Sequence, residues 1–416
     1  MLASSPNALL TEISTEVELL LSCTCVASDH QITQKIRELT PKVKDWEYVA
    51  ALADRHRVVP LLYTSLRHSC PDLVPVELLA DLNDFVRAIA MHNLAMTTEL
   101  VSILTLLKNE GVTAIPYKGP VLTKTLYGDP ALRQYGDLDI IIRHQDQRRT
   151  IDILEAVGFS LHSEVNASLD SQLKYEYHLH FRREDNLILE VHWGFAYEFI
   201  PFPVDFEQVW ERLEPTSLAG VKVLNLAPED LLLILCVHGF KHLWSRLSWV
   251  CDVAQLLYTH PELNWGTVFE QARTLGCEHI LLFGLRVARD LLQANIPQEI
   301  DQLIDLNPAS QALSHLLDPV KLFSLEAYDP VATDEAILTH ISMASGWSSK
   351  LRYYYLYFLY YLIRVIPPSE KDQEFLKLPR FLTMLYYIVR PIRLLTTFGL
   401  QPITPFKRML KKLFVL

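Results

Sequence analysis

One heptapeptide constrains this chain more than any other stretch: Gly136-Asp137-Leu138-Asp139-Ile140-Ile141-Ile142. Leu138 and the three isoleucines read as a strand buried in a core. Asp137 and Asp139 lie two residues apart, and in an extended chain such side chains share a face. The strand therefore opens on two adjacent carboxylates, which repel one another unless a cation sits between them. A hard cation such as Mg2+ takes oxygen ligands and leaves positions free for phosphates. Alone, the pattern also fits a Gly-Asp turn followed by a solvated carboxylate, because D-x-D is short and common. The neighbours must decide.

Upstream, Val112 to Tyr117 reads as an apolar strand, followed by Lys118-Gly119 and a predicted helix over Val121 to Leu126. Glycine allows close approach of backbone to a ligand, and lysine is a natural phosphate contact. Arg133 lies four residues before Asp137, within reach of the same ligand. Downstream, Leu187 to Trp193 alternates as a strand that puts Glu190 and His192 on one face. Glu190 is thereby a candidate third carboxylate, and His192 a candidate to orient it or contact an acceptor.

This ordered set resembles the nucleotidyltransferase superfamily with the DNA polymerase β-like fold. More closely, it is similar to an uncharacterised nucleotidyltransferase family that reads K-G, then R-x-x-G-D-[ILV]-D, then [LVI]-E-[LV]-H-W. The matches are Lys118-Gly119, Arg133 to Asp139, and Leu189 to Trp193. Flanking segments extend the likeness over about residues 45 to 260: Trp46 with Leu52 to Tyr63, His238 to Trp244, and Trp249 to Asp252. One departure stands out. The superfamily places Gly-Ser or Gly-Gly at the first turn, whereas Gly119 is followed by Pro120, which has no N–H to offer a phosphate.

The resemblance implies an α+β fold: a polymerase β-like nucleotidyltransferase core, a mixed sheet with helices, flanked by N- and C-terminal helical regions. It implies Mg2+ (or Mn2+) held by Asp137, Asp139 and Glu190, and a nucleoside triphosphate such as ATP as substrate. Lys118, Gly119, Arg133, Lys241 and His242 are the expected phosphate contacts, with His192 and His238 behind them. The acceptor is open among a protein, a small molecule and a short RNA. Two other readings stay open at this point. One is a catalytically degraded protein that binds a nucleotide or a partner. The other is a metal-dependent hydrolase built on His178, His180, Glu190, His192, His238 and His242.

Charge narrows the partners. The 416 residues carry a formal charge of −11, so bulk charge does not make this a non-specific nucleic-acid binder. From Lys371 to Leu416, nine Lys or Arg against two acids give +7, which leaves −18 elsewhere. Aromatics mixed with basic residues there suit a membrane surface or a protein contact. The six cysteines form no C-x-x-C pair, so reduced thiols in a cytoplasm are expected. No signal peptide is expected, because Glu12, Glu16 and Glu18 interrupt the first apolar run. No run is expected to span a bilayer; the longest, Tyr353 to Ile363, stops at Arg364.

The hydrophobic period divides the chain into four parts. Residues 1–110 read as helices, with Asp45 as an N-cap and Gly111 closing the last one. Arg55-His56-Arg57 reads either as a solvated helix end or as a segment facing the active site. Residues 111–226 mix strands and helices, and Asp185-Asn186 predicts a turn joining His178–Arg182 to Leu187–Trp193. Residues 227–345 read as a helical region closing a cleft, starting at Pro228 and including Ser310 to Leu317. Residues 346–416 read as an aromatic and basic helical segment.

Overall fold

The computed structural model describes residues 13–25, 30–162, 169–195, 207–307, 322–325, 341, 350–356, 375–378 and 380–398. The first helices begin where caps and apolar period coincide. Helix α1 (Thr15–Thr24) starts at Ser14, which accepts from the Val17 N–H. Helix α2 (His30–Leu39) leads to α3 (Trp46–Arg55), which starts at Asp45, whose carboxylate accepts from the Tyr48 N–H. Helix α4 (Val59–Ser69) carries Pro60 in its first turn, where a missing N–H is harmless.

Helix α5 (Val76–Asn109) is 34 residues long and is followed by Gly111 at φ +75°. It corrects one expectation: by length and composition it is long and apolar enough to cross a membrane. Its packing ties it to the sheet instead. Leu100, Ile103 and Leu107 are buried among strand residues, and the Asn93 amide donates to the carbonyls of Pro130 and Arg133.

The sheet has five strands: β1 (Ala114–Pro116), β2 (Leu138–Ile142), β3 (Phe159–His162), β4 (His178–Arg183) and β5 (Ile188–His192). Their order is β1-β2-β5-β4-β3. β2 runs parallel to β5, and every other pairing is antiparallel. The expected α+β core with a mixed sheet is therefore present. β2 takes an interior place because it can be buried on both faces. Ile141 enters a cluster built from helices at both ends of the chain, while Ile140 and Ile142 enter a second cluster with α5. The β4–β5 turn lies where the sequence predicts it, with Asn186 at φ +69°. β3 lies outside the sequence reading.

Between β1 and β2 the chain forms the short helix α6 (Gly119–Leu122) and a π-helical turn, Thr123–Tyr127. Helix α7 (Gln147–Ala156) precedes β3 and is closed by Gly158 at φ +89°. Helix α8 (Leu169–Tyr175) precedes β4. Helix α9 (Glu207–Glu211) then leads to a separate hairpin, β6 (Glu214–Leu218) with β7 (Val221–Asn225).

Four packed helices follow: α10 (Pro228–Lys241), α11 (Leu247–Thr259), α12 (Trp265–Thr274) and α13 (Glu278–Leu292). Helices α14 (Gln298–Leu306) and α15 (Tyr386–Phe398) complete the described elements used below. The predicted helix at Ser310 to Leu317 lies outside the described residues. So do the aromatic run after residue 356 and, in the basic segment from Lys371, residues 371–374, 379 and 399–416.

Candidate active site

The strand pairing assembles the site. In the parallel β2–β5 ladder Asp139 is directly opposite Glu190, so one face of the sheet carries both carboxylates at the same level. Asp137 lies just before β2. All three line a cavity of about 520 Å³ bounded by the turn after β1, by β2, β4 and β5, and by the facing ends of α10 and α11. The sequence places these three together, and the structure does the same.

Each carboxylate has a different electrostatic setting. Asp139 is 4% exposed and accepts a 3.0 Å hydrogen bond from the Lys118 ammonium. His192 Nε2 lies 3.2 Å from Asp139 and 3.2 Å from Glu190, bridging the pair. Burial would raise the Asp139 pKa, but Lys118 and His192 outweigh it and hold the group well below the usual carboxylate range. Glu190 is also lowered: burial opposes ionisation, and the His192 hydrogen bond overcomes it. Asp137 has no such support. Burial, with Asp139 and Glu190 nearby, pushes its pKa up to about 6.

This donor set fits a hard divalent cation. Asp137, Asp139 and Glu190 line one cavity, and the ligand atoms of Asp139, Glu190 and His192 lie within 4.8 Å of one another, a group that Asp137 does not join. The surplus negative charge is visible in the lifted Asp137 pKa and in the Lys118 ammonium drawn onto Asp139. Lys118, expected on a phosphate, is here the counter-charge of a carboxylate.

The other expected contacts divide. Gly119 has φ +50°, a conformation L side chains rarely adopt, and Pro120 follows it inside α6. Arg133 is corrected from phosphate ligand to fixed ion pair. Its Nε and Nη2 each donate at 2.8 Å to Asp252 of α11, and the buried Nη1 has no hydrogen-bond partner. Its charge is thus already compensated, although it still lines the cavity. Lys241 reaches the cavity and donates to the Tyr177 hydroxyl at 2.7 Å. Burial, helped by Lys118, lowers its pKa to about 7. His238 and His242 pack edge-on and tilted against Trp249, and burial drives both pKa values far below normal. His242 is therefore a neutral polar contact rather than a cation.

The six-residue hydrolase site does not assemble among the described residues. His178, His180 and Glu190 come together, with His178 and His180 Nε2 atoms 2.8 Å apart, whereas His238 and His242 belong to the Trp249 side.

Tyr177 and Arg246 line the cavity and escape sequence reasoning, while Arg57 and Trp249 enter it only as a helix end with two readings and as part of a flanking match. The solvated reading of Arg55-His56-Arg57 is corrected, because His56 is fully buried and Arg57 faces the cavity. Nothing local marks these positions; they meet the site through contacts between distant elements.

A protein-family model described as an uncharacterised nucleotidyltransferase matches residues 42–293. No curated protein matches the sequence. Three solved structures are distantly similar. The lincomycin-bound lincosamide antibiotic adenylyltransferase LnuA is 20% identical over 33% of this chain and 83% of its own, at a TM-score of 0.24. The antibiotic-resistance factor ANT(2'')-Ia in solution is 15% identical over 46% of this chain and 96% of its own, at 0.32. Its complex with adenylyl-2''-tobramycin is 14% identical, over 44% and 97%, also at 0.32. Scores this low carry no argument about substrate.

Proposed function

The chain belongs to the uncharacterised nucleotidyltransferase family, and from that premise we propose that it moves a nucleoside monophosphate from a nucleoside triphosphate to an acceptor hydroxyl, with Mg2+ held by Asp137, Asp139 and Glu190. The observation that supports this most directly is the register Asp139 opposite Glu190, with Asp137 alongside in one cavity.

The bond formed joins the acceptor oxygen to the α-phosphorus. The bond broken joins that phosphorus to the bridging oxygen, and pyrophosphate leaves with the electron pair. Mn2+ would fit the same donors. A cation held there would neutralise phosphate charge and favour ionisation of the acceptor hydroxyl. The chain's own residues supply the rest. His192 holds Asp139 and Glu190 in fixed orientation through its 3.2 Å contacts with both. Lys118, on the wall beside Asp139, is placed to turn from carboxylate to phosphate as charge arrives. Glu190, ionised by its bond to His192, is placed to accept the acceptor's proton.

The test is incubation with each α-32P-labelled nucleoside triphosphate and Mg2+, with and without a cell extract. Label should move to an acceptor, stop on chelation, and fall at least about a thousandfold in Asp137→Asn and Asp139→Asn. Full transfer by both variants would remove the carboxylates from the chemistry. Nucleotide binding with no transfer under any condition would favour a binding protein.

A further inference from the structure

We propose that Arg57 and Arg246 form a guanidinium clamp for a phosphate group of the substrate on the Asp137 side of the cavity. This rests on the nucleotidyl-transfer reading and supplies what Pro120 withholds, an N–H donor at the first turn.

The charge distribution points to these two residues. Of the cavity's cations, Lys118 is bound to Asp139 and Arg133 to Asp252, while burial lowers the Lys241 pKa to about 7. Arg57 and Arg246 both line the cavity, and among the described residues neither guanidinium makes an ion pair. They lie close enough that, after burial, the Arg57 charge is the largest influence lowering the Arg246 pKa. Asp137 offsets part of the Arg246 charge without forming an ion pair, so the two guanidiniums stay unfavourable together until a further anion arrives between them.

The backbone enforces that proximity. The neutral His56 ring accepts from the Leu247 N–H at 3.1 Å, and its carbonyl accepts from the Ser248 N–H at 3.2 Å. These two bonds fasten the turn after α3 to the start of α11, so the next residue on one chain and the preceding residue on the other stand side by side. Arg57 is held at φ +56°, and Leu243 and Trp244 at φ +54° and +52°. Strained non-glycine backbone persists only where its surroundings impose it, and it clusters at ligand clamps. The Arg57 Nη1 reaches over Gly136, 4.0 Å from where a Cβ would stand, immediately before Asp137. Arg246 lies 5.4 Å above the Trp249 ring, which limits its sweep.

The phosphate could belong to the nucleotide's terminal end or to a phosphorylated acceptor. Calorimetric titration in Mg2+ distinguishes them, using tripolyphosphate, ATP and AMP on the free protein and glycerol 3-phosphate on the ATP-loaded protein. The variants are Arg246→Gln and Arg57→Gly, the latter suited to a positive φ, with melting temperatures checked. If the nucleotide is the source, ATP and tripolyphosphate bind at least about tenfold more weakly in each variant, while AMP is unchanged. If the acceptor is the source, ATP binding is unchanged and glycerol 3-phosphate binding is lost. Unchanged binding of every probe in both folded variants overturns the clamp, as does failure of the wild-type protein to bind any of them. Arginine-dependent tripolyphosphate binding without ATP binding or transfer keeps the clamp and removes the transferase reading.

Discussion

Asp137 is the carboxylate least accommodated by the fold. Its neighbours Asp139 and Glu190 each share His192, and Asp139 also holds Lys118, whereas Asp137 gains only distant cations. Its pKa rises from an ordinary 3.8 to about 6. The sign follows. Between about pH 4 and 6 the folded protein keeps a proton that the unfolded chain releases, so stability falls as pH rises through that window. Above it, the ionised group destabilises the metal-free protein. Asp137→Asn should therefore raise stability at pH 7 by about 1–2 kcal/mol, a value discounted for partial exposure. It should also flatten the pH slope. Mg2+ should raise the melting temperature of the wild-type protein more than that of the variant, because binding to the native state stabilises it. Thermal melts at pH 4, 5, 6 and 7 with and without Mg2+ decide this. A variant that melts no higher than wild type at pH 7 would show that Asp137 is not the strained group.

At the scale of elements, the link between α10 and α11 sets the cavity's far wall. It follows Lys241, the last residue of α10, and carries His242 and Arg246, and Trp244 anchors it. Trp244 is fully buried, and its ring fills a slot that exists because residues 239 and 284 lack side chains. A Cβ on Gly239 would meet three Trp244 ring carbons at 2.6 Å, and one on Gly284 would meet the ring at 3.0 Å. Gly239→Ala should destabilise by about 1–3 kcal/mol through overpacking. It should also weaken nucleotide binding, because the displaced ring moves the loop. Denaturant midpoints and nucleotide titration check both, and Trp244→Leu in the same chain should recover part of the stability. Unchanged binding would mean that the loop keeps its place without the tryptophan. The contrast with the sheet explains what the sequence discloses. Period-two alternation placed Asp137 and Asp139 on one face, the family resemblance added Glu190, and Asp45, Gly111 and Asn186 mark local ends that the structure keeps. β6 was hidden by its composition, Glu-Pro-Thr-Ser-Leu, which reads as a loop. Arg246 and Tyr177 were hidden, and the place of Arg57 was left open, for a different reason: their roles arise from contacts between elements far apart in the chain, which spacing does not encode. Arg133 was misread because its partner, Asp252, lies 119 residues away.

For the whole molecule, the four-part division describes the order of elements along the chain rather than separable bodies, and we propose that the first three parts fold as one unit. The larger hydrophobic cluster supports this. It runs from Leu20 and Leu52 through Ile115, Tyr117 and Ile141 of the sheet region to Leu235, Val250 and Leu285. Polar ties cross the same boundaries. Asp252 of α11 binds Arg133 and accepts from the Tyr127 hydroxyl at 2.9 Å, and Gln255 donates to the Leu126 carbonyl at 2.8 Å. Cut free, residues 111–226 would expose Ile115, Tyr117 and Ile141 to water and leave the buried Arg133 without its counter-charge. Losing one partner of such a pair costs about 3–5 kcal/mol, a large share of the about 5–15 kcal/mol that holds a domain together. The fragment should therefore lack near-UV circular dichroism, while the full chain melts in one transition monitored by both tryptophan fluorescence and far-UV signal. The cavity depends on the same union, since its carboxylates and Arg133 come from the sheet region and Arg57, Arg246 and Lys241 from the helical regions on either side. A fragment that melts cooperatively, or a full chain with two separate transitions, would show that the sheet is an independent domain and that the cavity forms by docking after each part has folded.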